Sequence, residues 1–233
     1  MRQKIVTIAV YVNAVCLALI CLYAAIMSPT FNIGFYERQF VRNHTHRMIR
    51  ITEDDLTKVT LHMMDYMRGR TDSLQIRTYI DGEEVYFFTE RAVLHMVDVR
   101  DLFTVGRILF YISIVFFVSS LAVCVFLKSF ARLLKAYRRT AIITASIYAA
   151  IGVIALVNFE FAFEWFHHIF FFNDLWLLNS YDRLLNMVPT PFFISIFIYI
   201  TTLFTLFLAA MGFGGHFTNR FLIKREEKAR GGS

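Results

Sequence analysis

Disulfides, helix-breaking residues and a charged surface are all scarce in this chain. Its 233 residues include three cysteines, three prolines and only 18% charged side chains. Cys16, Cys21 and Cys124 all fall inside apolar stretches, so no disulfide framework holds an outer domain together. No Gly-x-Ser-x-Gly motif occurs and no cysteine lies outside those stretches, which removes the usual acyl-enzyme nucleophiles. The bulky Val15 before Cys16 rules out a lipoprotein processing site. The prolines, at 29, 189 and 191, leave the apolar stretches unbroken. Transporters often pair repeated halves around broken spans; here there is no internal repeat, and Asn13 is the one marked midspan polar residue. A folded basic face of the kind that binds nucleic acid is also missing.

What is abundant is apolar. Hydrophobic residues make up 57% of the chain and the mean hydropathy is +0.53, outside the usual soluble range. Four stretches, at 5–27, 105–127, 140–162 and 192–213, are long enough to cross a hydrocarbon core about 30 Å thick. The first has no small-residue cleavage site and reads as a retained signal anchor. The net charge of +6 is concentrated in three places. Arg2 and Lys4 precede the first stretch, Lys128, Arg132, Lys135, Arg138 and Arg139 fill the loop 128–139, and Arg220, Lys224, Arg225, Lys228 and Arg230 fill the tail 214–233. The positive-inside rule puts all three on the cytoplasmic side of the membrane, with both termini inside. The final Gly-Gly-Ser reads as an expression remnant.

The expected fold is a polytopic bundle of four transmembrane helices with a small α+β extracytoplasmic cap at 28–104 and an aromatic outer loop at 163–191. In the cap, Thr52 followed by Glu53, Asp54 and Asp55 predicts a capped helix start, and Leu56, Val59, Met63, Met64 and Met67 keep helical spacing to Gly69. Asp81-Gly82, between apolar runs at 74–80 and 85–88, predicts a hairpin. A further helix is expected to start after Thr89 and to run without a breaker into the second span.

Seven histidines are available. His44 and His46 alternate in a polar stretch, a weak two-ligand signal for a metal set against solvated loop residues; His62 reads as a packing residue and His216 as interfacial. His95 has Asp98 at i+3, placed to orient its ring. Glu160, Glu164, His167 and His168 are spaced i, i+4, i+7 and i+8, so they share one helical face. Ionisable groups on lipid are expensive, which directs that face to the bundle interior or a wet cavity. An ion pair from Glu160 or Glu164 to Arg107 is the structural alternative. The surrounding aromatics read as an interfacial belt that also offers an acyl-chain pocket.

The stretches HMVDVRDLF at 95–103 and FHHIFFFNDLWLL at 166–178, with Asp182, Pro189 and Phe192-Phe193, resemble those of the bacterial lipoprotein intramolecular transacylases. The resemblance implies a four-span enzyme with an extracellular cap, with His95 and His167 catalytic. It also implies transfer of the sn-2 acyl chain of a diacylglyceryl-cysteine lipoprotein to the cysteine α-amino group, giving a lyso-form lipoprotein. Asp98, Glu164, Asn173, Asp174, Trp176 and Arg107 are the candidate supporting or substrate-binding residues. No cofactor or metal is required, and the expected partners are the lipoprotein substrate and membrane lipids. A lipid or lipoprotein deacylase and a non-catalytic accessory or pH-sensing protein are the competing readings.

Overall fold

The computed structural model describes the backbone of residues 1–230 and the side chains of residues 1–214. His216, the basic side chains of the tail and the closing Gly-Gly-Ser therefore lie outside the described side chains or residues. Nine helices and one two-stranded sheet are found among the described residues. Four helices are long and apolar enough to cross a membrane: α1 (Arg2–Thr30), α5 (Glu90–Phe126), α6 (Phe130–Val157) and the Thr190–Gly214 part of α9 (Thr190–Arg230). Many of their large side chains, such as Ile108, Val115, Phe116 and Ile147, stay exposed, as expected of helices that face lipid. The chain divides into two compact units, one formed by 1–26, 108–153 and 200–233, the other by 27–107 and 154–199.

The first unit is built from the apolar parts of the four long helices. Small residues let α1 pack closely: Ala9, Ala14 and Ala25 are buried on it, and Ala136 and Ala141 on α6. Asn13 is fully buried. It donates to Phe117 O at 2.7 Å and Ser120 Oγ at 3.0 Å, and accepts from Tyr137 Oη at 2.6 Å. One side chain thereby ties α1, α5 and α6 together where water is absent.

The second unit contains the remaining elements: α2 (Ile33–Arg42), α3 (Thr45–Ile49), α4 (Glu53–Arg68), the hairpin β1 (Arg77–Ile80) and β2 (Glu83–Tyr86), α7 (Phe159–Phe170) and α8 (Arg183–Met187). α4 starts and stops where its sequence directs. Thr52 accepts a hydrogen bond from Asp55 N, a cap that contributes about 1 kcal/mol, and Gly69 closes the helix at φ +72°. The apolar stripe of α4 (Leu56, Val59, Met63, Met64, Met67) is buried with Phe87 and Phe192 in the core of this unit. Full burial of each such side chain contributes about 1.5–3 kcal/mol. Asp81 and Gly82, both at positive φ, form the two-residue turn of the hairpin, which pairs Arg77 with Tyr86 and Ile80 with Glu83.

Two expectations are corrected. The segment before α4 is helical, as α2 and α3, rather than a bare polar stretch; Asn32 caps α2 through Phe35 N. The third apolar stretch does not run to 162. α6 ends at Val157, and the side chain of Asn158 accepts from Phe161 N to start the separate helix α7. An Asn cap offers the backbone a hydrogen bond outside the helix, which outweighs the continuing hydrophobic run.

Candidate active site

His95 lies in the second turn of α5. That helix has 37 residues, about 55 Å at 1.5 Å per residue, well beyond the ~30 Å needed to span. Its first turns carry Glu90, Arg91, Asp98, Arg100, Asp101 and Arg107, so they precede the membrane-spanning stretch. The α5 start is firmly held. Thr89 Oγ1 accepts from Ala92 N and donates to the carboxylate of Asp182, which is itself buried and caps α8 through Leu184 N.

Arg91, His95 and Asp98, at i, i+4 and i+7, share one face of α5. The segment following α7 is strapped to this face at both ends. Arg91 donates to the carbonyl oxygens of Leu177 (3.0 Å) and Asp174, and Asn173 Nδ2 donates to Asp98 Oδ2 at 2.9 Å. His95 sits between these tethers, against Phe171, with the ring centroids 5.3 Å apart.

His167 comes from the last turn of α7. Its Nδ1–H donates to Phe163 O at 2.7 Å; because a carbonyl only accepts, this fixes the tautomer and leaves the lone pair on Nε2. Trp176 stacks on the imidazole at 4.6 Å, with Phe163 at 4.3 Å and Phe171 at 5.5 Å. The His95 and His167 rings lie 6.1 Å apart, and only 8% and 7% of the two residues is exposed. Burial pushes the His95 imidazole down to about 4, reinforced by His167 and opposed by the Asp98 carboxylate. Burial also lowers His167, while the Phe163 carbonyl pulls the other way. Both rings are therefore neutral at neutral pH, each with one N–H and one lone pair. A neutral imidazole pair in a buried aromatic enclosure is suited to moving a proton between two groups of a bound molecule.

The other candidates divide. Asp98, Asn173 and Trp176 join this cluster. Asp174 contributes its backbone carbonyl, and its side chain is exposed. Glu160, Glu164 and His168 do not share an inward face; all three are exposed, and Glu164 lies 3.7 Å from His168 in a solvated pair. With α7 a separate helix, only the His167 side of its surface is covered. Arg107 does not pair with either glutamate; it donates to Arg68 O at 2.7 Å, closing the end of α4. Arg91 and Phe171 were missed. Arg91 stands four residues before His95, and that spacing was the available signal.

The family model for lipoprotein intramolecular transacylase Lit matches residues 11–193. The chain belongs to this family. It is thus a membrane acyltransferase acting in lipoprotein biosynthesis, with several membrane-spanning helices. Solved structures of the membrane-integral Lit from Bacillus cereus share the fold. One is 18% identical with a TM-score of 0.77, covering 97% of this chain and 99% of that one. Two others carry a histidine substitution. The histidine-to-arginine form is 19% identical (TM-score 0.70, covering 98% and 95%), and the histidine-to-alanine form is 18% identical (TM-score 0.73, covering 97% of each). No curated protein matches the chain.

Proposed function

We propose that this transacylase moves the sn-2 acyl chain of a diacylglyceryl-cysteine lipoprotein to the cysteine α-amino group, with His95 and His167 as its proton-transfer pair. The carrying observation is the meeting of two buried imidazoles, remote in sequence, 6.1 Å apart in an aromatic enclosure. The amine nitrogen attacks the ester carbonyl through a ring of about eight atoms, feasible once the substrate is folded on itself. Addition forms the C–N bond and a cyclic tetrahedral oxyanion, which collapses by breaking the bond to the glyceryl sn-2 oxygen. One proton leaves nitrogen and one reaches that oxygen, so the reaction is an isomerisation, with no acyl-enzyme and no co-reactant.

His167 takes the base role, because its Nδ1–H is committed to Phe163 O and its Nε2 lone pair is free. The proton taken by His167 passes on through His95, whose free ring nitrogen takes it up as its N–H gives a proton to the departing oxygen, so both rings end neutral; Asp98 orients the His95 ring through its nearby carboxylate charge. Both residues sit in the second unit, which we assign to the exterior side, since the basic clusters at the N-terminus and 128–139 mark the cytoplasmic face. The exposed Phe161, Trp165, Phe166 and Phe170 on α7 support a helix seated in the membrane interface, where such rings are favoured.

The test uses purified wild type and a diacyl lipopeptide labelled in the sn-2 chain, mixed with an unlabelled peptide of different sequence. The proposal predicts N-acylated product whose label stays on the peptide that carried it. Released free fatty acid without N-acylation would identify a deacylase instead, and label on the other peptide would exclude an intramolecular route.

A further inference from the structure

An acyl transfer between two groups of one substrate needs a donor for the carbonyl oxygen as negative charge builds on it. The polar groups around the two histidines are bonded to differing degrees. Asn173 directs one amide N–H to Asp98 and its oxygen accepts from Leu175 N, while the residue itself is exposed. The Arg91 guanidinium is bonded to two backbone carbonyls. His167 Nδ1–H is held by Phe163 O. Two nitrogens of the cluster remain buried and unpaired: His95 Nδ1 and Trp176 Nε1. An indole N–H only donates, and burying one without an acceptor is unfavourable unless a partner arrives.

The Trp176 ring is stacked on His167 at 4.6 Å with the planes 29° apart, so its N–H is carried at the edge of a plane roughly parallel to the proposed base. His168 packs edge-on against the indole, at 5.4 Å. The loop bearing the ring is fixed on both sides by the tethers at Arg91 and Asp98. A rigidly placed, buried donor without a partner has the character of an oxyanion site. We propose that the Trp176 indole N–H hydrogen-bonds the carbonyl oxygen of the transferring acyl group and stabilises its oxyanion. This deepens the transacylase reading and rests on it. The ester carbonyl is presented to the edge of the indole, amine nitrogen attacks its carbon, and the developing charge on oxygen falls on the indole N–H. The N–H keeps its proton throughout, so the atom balance of the transfer is unchanged.

The test replaces only the N–H. Trp176→Phe removes it with part of the ring, and 3-benzothienylalanine incorporated at position 176 keeps the bicyclic ring with sulfur in place of N–H. Both are assayed as full-length purified enzyme on diacyl lipopeptide, with kcat and KM measured separately. The expected result is a kcat lower by on the order of 10²-fold in the isostere with KM unchanged. A merely stacking role would leave the isostere at wild-type kcat, and that result overturns the assignment. So does a raised KM with kcat preserved. If Trp176→Phe fails to fold, the isostere decides alone. Wild type that makes no N-acylated product overturns the transacylase reading together with this one; active wild type with an unaffected isostere overturns only the role of Trp176.

Discussion

The two units each bury a polar cluster, and they treat it differently. Around Asn13 the bonding is complete: both amide hydrogens and the amide oxygen have partners on α5 and α6, and Ser120 passes its own hydrogen to Phe116 O. In the second unit His95 and Trp176 each keep a buried nitrogen without a partner, beside a His167 whose Nε2 stays uncommitted. A bilayer-embedded polar group with every bond made is a fastener, since it gains by holding helices together and has nothing left to offer a ligand. A cluster with donors and lone pairs in reserve is less stable than it need be, which is reasonable where a substrate supplies the missing partners. Incomplete bonding alone does not mark a site, since Gln39, Thr45 and Gln75 also keep buried side-chain atoms without a partner; here it coincides with two histidines that face each other.

Substitutions test this contrast. The largest effect is expected at His167: His167→Ala should cut formation of N-acylated lipopeptide by about 10²–10⁴-fold, read by mass, with little loss of thermal stability. Asn13→Leu should do the reverse, lowering stability by about 1–2 kcal/mol in a detergent unfolding assay while the rate per folded molecule stays near wild type. If Asn13→Leu abolished turnover in folded enzyme, the division between fastener and chemistry would fail.

Acidity gives a third, intermediate test. Both imidazoles are held below their ordinary value of about 6.5, so the stability gained from keeping them neutral is complete above that pH. It is lost as pH falls, for His95 through about 4. His95→Leu should therefore flatten the drop in melting temperature between pH 6.5 and 4. Turnover should rise with pH as the substrate amine, ordinarily near about 7.7–8.0, loses its proton, because the bases are already neutral there. The smallest effect is expected at the exposed tether: Asn173→Ala should slow turnover roughly 3- to 10-fold by loosening the loop over α5, less than either histidine change. An effect as large as that of His167→Ala would mean the amide acts on the substrate directly.

Much of this was legible in the chain. Capped starts, a Gly stop and an Asp-Gly turn are local signals, and α4 and the hairpin follow them closely. The spans were visible because about twenty apolar residues in a row have few alternatives. The pairing of His95 with His167 came from the family resemblance, since periodicity within one helix says nothing of a contact between two. The break at Asn158 was hidden by the apolar residues on both sides of it, and once α7 became a separate helix the inward face assigned to Glu160, Glu164 and His168 disappeared. Arg107 failed as an ion-pair partner because the carbonyl end of α4, a backbone acceptor no side-chain pattern displays, claimed it.

The paired action of the two imidazoles is tested most directly by a double-mutant cycle in the acyl-transfer assay, with His95→Ala, His167→Ala and the double variant measured on the same lipopeptide. Two groups acting on one proton path predict that each single change removes nearly all turnover and that the double is hardly worse than either. Full activity in either single variant, or losses that simply multiply in the double, would contradict the account.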